Sequence, residues 1–336
     1  MNTDNIISTD NTTHTQEESK RIQVGLSACL AGQKVRYNAG HTQSRLCLDI
    51  LSKHFSFSTF CPEAEAGFGI PRPTMRLTGD PEAPTLTESN GNGSDLTSQL
   101  VKGFERKLSE FSDLDGYILM KNSPSCGLER VKVYQANGHP HQTPGVGIFA
   151  RALKEKYPLM PIEEEGRLHD DRLYDNFITR VYAYSNFRQE VLREPSLNKL
   201  MEFHASYKYI LMSHQQKNYK RLGQIVASHI EKAPLETRIR EYFKLFMQTL
   251  AKPANRKNHT NTLLHLLGYL KKSLPTDARR HIVDVIYKYK DGMTPLTTPL
   301  TLLSHYLGQY GSSYIQKQRY LQPYPENIHP IRKYCP

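Results

Sequence analysis

Over the first half of the chain, apolar residues come in short runs bounded by turn formers. Over the second half they recur at helical spacing. RIQVGLSA (21–28) and DGYILMK (115–121) read as buried strands, and FSFSTF (55–60) alternates aromatic with small polar residues, as a strand does. VKVY (131–134) and PLMPIEEE (158–165) predict two further strands. DLTSQLVKGFERKLSEF (95–111) carries Leu96, Leu100, Phe104 and Leu108 at helical spacing, with Asp95 as its cap. GVGIFARALKEKYP (145–158) predicts a helix ended by proline, and residues 169–194 predict a long one. EAPTLTESNGNGSD (82–95) reads as a surface excursion rich in turn formers. Strands alternating with helices predict an α/β domain with a largely parallel sheet.

After Pro195 the helical segments follow one another without strand-like alternation, with Pro234, Pro253, Pro275 and Pro295 between them. This part reads as all-α. The expected division is a disordered tail over 1–20, an α/β domain over 21–168, a connecting helix over 169–198 and an all-α domain over 199–336. The tail is polar, carries both signs of charge and lacks the pattern of a signal peptide. No run approaches the roughly 18 apolar residues of a spanning helix, so no membrane partner is expected. The expected setting is cytoplasmic.

Charge changes the picture of the second half. The chain of 336 residues has a formal net charge of +11. Residues 199–336 hold 22 Lys and Arg against 8 Asp and Glu, a net +14, and 13 of the 20 tyrosines. Residues 1–198 sum to −3. Cations interleaved with rings suit nucleic acid, because charge neutralises phosphates and rings stack on bases. The competing reading is a solvated helical face with tyrosines half-buried beneath it.

Chemistry enters with the cysteines. There are five, Cys29, Cys47, Cys61, Cys126 and Cys335, too few for a disulfide scaffold. Cys29 and Cys61 directly follow predicted strands, and Cys126 follows another across the turn NSPSCG. Ligands of open α/β sheets bind beyond the carboxyl ends of the strands, so these three thiols are expected at one sheet edge. Four readings fit: independent buried thiols, a three-thiolate iron–sulfur cluster with one open iron, a zinc site with an open position, or a nucleophilic Cys126. The small residues around Cys126 favour a bulky ligand. Glu63 is a candidate acid/base at the same edge, and Ser123 and Ser125 are candidate hydrogen-bond donors, unless they serve the turn alone.

GLSACLAGQKVRYNAGH, FCPEAEAGFGIPRP and KNSPSCG together resemble the thiouracil desulfidase (TudS-like) family. FHASYKYILMSHQQKNYKRLG, HTNTLLHLLGYLKKSL, YKDGMTPLTTPLTLLSHY and QKQRYLQPYP resemble the YbgA-like helical domain often fused to it. The pair resembles the RudS-like tRNA desulfidases. The resemblance implies a [4Fe–4S] cluster held by Cys29, Cys61 and Cys126, with the fourth iron open to the sulfur of a thiolated pyrimidine. It places the acidic and serine helpers at Glu63 and Ser123, and gives Cys47 and Cys335 no role.

The expected activity is removal of sulfur from 4-thiouridine in tRNA, giving uridine. Two rivals stand beside it. One is a desulfidase of free thiouracil or thionucleosides; the other is a non-catalytic, metal-containing RNA-binding protein. Candidate RNA contacts are Lys208, Lys217, Lys220, Arg221, Arg256, Lys257, Lys271 and Lys272. His204, His259 and His265 among them read as structural, and no second metal is expected.

Overall fold

The computed structural model describes residues 21–90, 93–228 and 234–328. The expected tail and Cys335 lie outside the described residues. The strands are β1 (Ile22–Ser27), β2 (Phe55–Phe60), β3 (Met75–Asp80), β4 (Ala83–Glu88), β5 (Gly116–Leu119), β6 (Val133–Tyr134) and β7 (Ile162–Glu164). Four form one sheet in the order β2-β1-β5-β7, every neighbouring pair parallel. Parallel strands need cover on both faces. Side chains alternate across the sheet, so Tyr117 and Leu119 face one core with Phe60, Phe104, Phe111 and Phe149, while Ile118 faces the other with Val24 and Leu26. Gly25 leaves room for the first of these cores, since a Cβ there would lie 2.2 Å from the Tyr117 ring.

A second sheet runs β4-β3-β6, with β3 and β4 an antiparallel hairpin and β6 parallel to β3. This corrects the reading of 82–95 as a surface excursion. Pro84 and Leu86 alternate inward, and Leu86 pairs with Leu77 beneath the core, both fully buried. The turn-forming composition is concentrated beyond Glu88, where the strand has ended.

The first half carries α1 (Pro62–Glu65), α2 (Thr97–Ser109), α3 (Ile148–Lys156) and α4 (Asp171–Phe187). Asp95 accepts a hydrogen bond from Thr97 N at 2.8 Å, one residue ahead of the N-cap Leu96. The true cap of α4 is Asp170, which accepts from Arg172 N and Leu173 N. The long helix expected over 169–194 is α4 continued by a wider turn, Arg188–Leu192.

Beyond it come α5 (Leu197–Ser206), α6 (Lys208–Ala227), α7 (Leu235–Leu250), α8 (Arg256–Leu267), α9 (Thr276–Lys290) and α10 (Thr297–Tyr310). This part is helical, as the sequence predicts. Pro234 and Pro275 cap α7 and α9 at their starts, where a missing N–H costs nothing. The helical core is ring-rich: Phe187 stacks on Phe243 at 4.4 Å and meets Phe203 edge-on at 4.9 Å.

Helix α4 belongs to both cores. Tyr174, Phe177, Ile178 and Val181 pack on the sheet, while Ala183 and Phe187 enter the helical core. The end of the described chain returns to it: Tyr174 Oη donates to Ile328 O at 2.5 Å, and Tyr324 donates to Asp175. Among the described residues no helix is long and apolar enough to cross a membrane.

Gly25→Ala is expected to destabilise the protein by roughly 1–3 kcal/mol, the usual cost of overpacking a filled core. Thermal denaturation measures it, and Gly25→Ala combined with Tyr117→Leu is expected to recover part of the loss. Equal losses in the single and double variants would show that the Tyr117 ring is not the obstacle.

Candidate active site

Strands β2, β1 and β5 lie side by side and end at the same edge. Register places Ser27 opposite Phe60, so both chains leave the sheet together. Cys29 sits in the tight turn of helix that follows β1, its carbonyl accepting from Gly32 N and Thr42 N. Cys61 is the N-cap of α1, with Pro62 at the first helical position and Glu65 N bonded to its carbonyl at 3.1 Å. Cys126 follows β5 in the turn 123–127.

That turn is held by α3. Pro124 O and Ser125 O accept from Ile148 N and Ala150 N at 3.1 Å, taking up amides at the helix start. Gly147 N donates to Gly127 O at 2.7 Å, and a Cβ on Gly147 would lie 2.5 Å from Ser125 O. A Cβ on Gly127 would strike Val131 at 2.4 Å. The turn's own packing thus requires glycine at both positions, while Ser123, Pro124 and Cys126 face the cavity.

Cys29, Cys61 and Cys126 line one cavity of about 340 Å³, together with Glu63, Ser123 and Arg72. Among the described residues no three of His, Cys, Asp or Glu come close enough to hold a single metal ion.

Electrostatics sharpen the picture. Burial, then the neighbouring Cys61, pushes the Cys29 thiol up to about 11, against a smaller pull from Arg36. Burial also raises Cys61, against which Arg72 pulls. Cys126 is raised well above the ordinary range by burial, then by Cys61, Glu63 and Cys29. A nucleophilic cysteine needs the opposite shift, so the reading of Cys126 as a free nucleophile loses its support. Tyr117 Oη is buried with no hydrogen-bond partner, and after burial the same three cysteines raise its pKa most. Soft donors crowded beside a carboxylate, with an orphaned hydroxyl among them, fit a cationic sulfur-bound group.

Glu63 is held on three sides. Ser125 Oγ donates to Oε1 at 2.8 Å, Ser123 Oγ donates to Oε1 at 3.4 Å, and Arg72 pairs with Oε2. Ser123 Oγ also accepts from Ser125 N at 3.2 Å and Cys126 N at 3.0 Å, which leaves its proton for Glu63. The structure thus brings Glu63 and Ser123 together as the sequence placed them, but gives the closer contact to Ser125. Arg72 has no counterpart among the sequence-based candidates. Its side chain is 2 % exposed and donates to Val35 O and Gly69 O as well as to Glu63. The run GFGIPRP contains it, though a lone arginine between prolines signals nothing by itself. Cys47 is buried in the core beneath the sheet, away from this cavity.

Comparison with known proteins adds to this geometry. A family profile described as 2-thiouracil desulfurase matches residues 24–165, and one described as a protein of unknown function (DUF1722) matches residues 208–325. An uncharacterized protein YbgA of Escherichia coli (strain K12) is 30% identical over 159 residues, which span 47% of this chain and 93% of the relative. The chain belongs to the YbgA family, with a TudS-like domain fused ahead of the YbgA-like one. A solved [4Fe-4S]-dependent thiouracil desulfidase, TudS, is 25% identical; the match covers 44% of this chain and 94% of that one, with a TM-score of 0.36.

In the YbgA-like domain, Lys217, Lys220 and Arg221 lie exposed at positions i, i+3 and i+4 of α6, so they share one face. Lys257, Lys271 and Lys272 are exposed, and Lys208 lies over the Tyr209 ring at 5.1 Å. Arg256 stacks on Tyr289 at 4.7 Å. None of these eight cations is in an ion pair among the described residues. His204 stacks on Tyr219 at 5.3 Å and meets Tyr242 Oη at 3.1 Å, a structural role; His265 is exposed.

Burial lowers His204 to about 4 from an ordinary value of 6.5, so the folded state binds its proton less readily than the unfolded chain. Stability is expected to be full above pH 6.5 and to fall as pH drops toward 4. Thermal midpoints across that window measure it. His204→Phe is expected to reduce the acid slope, and an unchanged slope would place the linkage elsewhere.

Proposed function

We propose that this protein is an iron–sulfur-dependent desulfidase that removes sulfur from 4-thiouridine in tRNA and leaves uridine. The observation carrying this is the convergence of Cys29, Cys61 and Cys126 with Glu63 on one cavity at the carboxyl ends of three adjacent strands. The three cysteines are the ligands of a [4Fe–4S] cluster with one open iron, which supplies a Lewis acid for the thiocarbonyl sulfur and a soft acceptor for sulfide.

The exchange is hydrolytic. Water oxygen bonds to the ring carbon, the carbon–sulfur bond breaks, and the two protons of water leave with sulfide. No electron changes hands. In this reading Glu63 carries a proton between water and the leaving sulfur. Arg72 fixes one of its oxygens, and Ser125 and Ser123 orient the other. The net +14 of residues 199–336 supports an RNA rather than a free-base substrate, because phosphate neutralisation supplies much of RNA affinity.

Two experiments test this reading. Cys29→Ala, Cys61→Ala and Cys126→Ala, purified anaerobically, are each expected to lose iron and activity, while Cys47→Ala keeps both. Glu63→Gln is expected to keep iron and slow turnover on the order of 10²–10⁴-fold. Iron loss in the Cys47 variant equal to that of the others would overturn the ligand set. In the second experiment, Lys217, Lys220 and Arg221 are replaced together by Gln. Activity on thiolated tRNA is expected to drop while activity on free 4-thiouridine holds. The log–log salt slope of tRNA binding should fall by roughly 0.7–0.9 per lost contact. An unchanged ratio of the two activities would favour free thiouracil or thionucleosides as substrate, the reading closest to the family description of residues 24–165.

A further inference from the structure

Residues 199–336 carry 13 tyrosines, and the proposed desulfurisation uses none of them. The structure sorts them by what they already touch. A second cavity, of about 600 Å³, lies between α4 and the helical half. Three tyrosines line it, and each is engaged within the molecule: Tyr289 lies under Arg256 at 4.7 Å, Tyr320 Oη meets His259 Nδ1 at 2.8 Å, and Tyr324 donates to Asp175. Tyr207 and Tyr242 are buried in the ring-rich core. Tyr209, Tyr219, Tyr269 and Tyr314 form a separate cluster that reaches the surface.

Tyr209 Oη donates to Tyr269 Oη at 3.2 Å, and the two rings meet edge-on at 6.4 Å. The Tyr314 ring lies 6.4 Å from that of Tyr269, tilted by 33°. Burial, then Tyr269, Tyr314 and Tyr219, raise the pKa of Tyr209. Tyr209 is buried under Lys208, and Tyr219 is covered on one face by His204. Tyr269 and Tyr314 are open, 39 % and 38 % exposed. Their backbones are anchored. Tyr269 stands in the turn Gly268–Leu270 beside fully buried Leu270. Tyr314 stands in the short helix Ser313–Gln316 beside fully buried Ile315, where Gln316 Nε2 donates to Gly308 O and Gly311 O at 3.2 Å. The surroundings are cationic. Segments 203–228, 255–276 and 292–325, which supply all four rings, contain no Asp or Glu. Lys271 and Lys272 follow Tyr269, and Lys317 follows Tyr314, all three exposed.

We propose that Tyr269 and Tyr314 are a stacking platform for unpaired bases of an RNA chain, whose phosphates lie on Lys208, Lys271, Lys272 and Lys317. Rings and cations call for different parts of one ligand: an open ring face takes a base, and a lysine takes a phosphate. Paired bases hide their faces inside the duplex, so the platform selects single strands, loops or chain ends. An acidic protein surface would satisfy the lysines alone. The inference rests on the reading of the basic half as the RNA-binding part. It does not depend on the cysteines or on desulfurisation.

The test measures binding of a labelled oligouridylate of about ten nucleotides, and of a duplex RNA of equal length, to the anaerobically purified full chain by fluorescence anisotropy. The single strand is expected to bind more tightly. Tyr269→Leu combined with Tyr314→Leu is expected to weaken it on the order of 10–100-fold without changing the log–log salt slope, because stacking releases no counterions. Tyr314→Leu alone serves if the double variant does not fold, since its hydroxyl takes no part in the Tyr209 bond. Replacing both tyrosines by Phe is expected to keep the affinity, because the ring and not the hydroxyl does the stacking. Tyr287→Leu, at a ring 42 % exposed on α9 and outside the cluster, is expected to leave binding unchanged. Full affinity in the Leu variants, loss in the Phe variant, or an equal loss in Tyr287→Leu would each overturn the platform. Duplex bound as tightly as the single strand would overturn it too, and would leave the basic half a plain phosphate anchor. No RNA bound by the folded parent would sink both readings and give the surface to a protein partner.

Discussion

Parallel pairing of β1 with β2 and β5 sets where the chemistry stands. Because all three strands run the same way, each must end at the same edge, and each leaves that edge with a cysteine a few residues further on. An antiparallel neighbour would have sent one thiol to the far side of the molecule. The pairing is in turn fixed by burial on both faces, since a one-residue slip of β5 would exchange Tyr117 and Ile118 between two filled cores. Packing of the sheet interior thus decides which thiols meet, long before any ligand arrives.

That meeting is electrostatically unfavourable as it stands. Burial and mutual repulsion hold Cys126 and Cys29 in the thiol form, and Glu63 adds to the effect. Arg36, Arg72 and Lys121 line the same cavity, and Arg72 is spoken for: its side chain lies buried between two backbone carbonyls and the carboxylate. A buried ion pair is weak evidence for stability, because desolvation offsets much of the attraction. Its effect here is geometric. It fixes Glu63 against the serines.

The cysteines were legible in the sequence because each stands shortly after an apolar run, and strand ends are readable from such runs. The helices of the second half were legible for a related reason: prolines punctuate them and apolar spacing is regular. The hairpin β3/β4 was not, since the inward residues of β4 that identify it are only Pro84 and Leu86 among Thr and Glu. Ser125 and Ser123 have the same chemistry two residues apart, and only the carbonyls of the turn, fixed by α3, decide which comes closer to Glu63. Arg72 could not be singled out because its partner lies across a proline-rich loop. The second cavity is built from segments up to about 150 residues apart, and no local pattern announces such a convergence.

One helix links the two halves of the molecule. The first turns of α4 give their apolar side to the sheet that presents the cysteines, and its last turn enters the ring-rich helical core. Arg172 and Asp175, on its opposite side, line the second cavity. That cavity therefore rests on the same helix that covers the sheet carrying the cysteines. The return of the chain through Tyr324 and Ile328 adds hydrogen bonds to the same stretch of α4. The helical half is therefore joined to the sheet through packed side chains and hydrogen bonds, and the arrangement of the two rests on how well this one helix fits both cores.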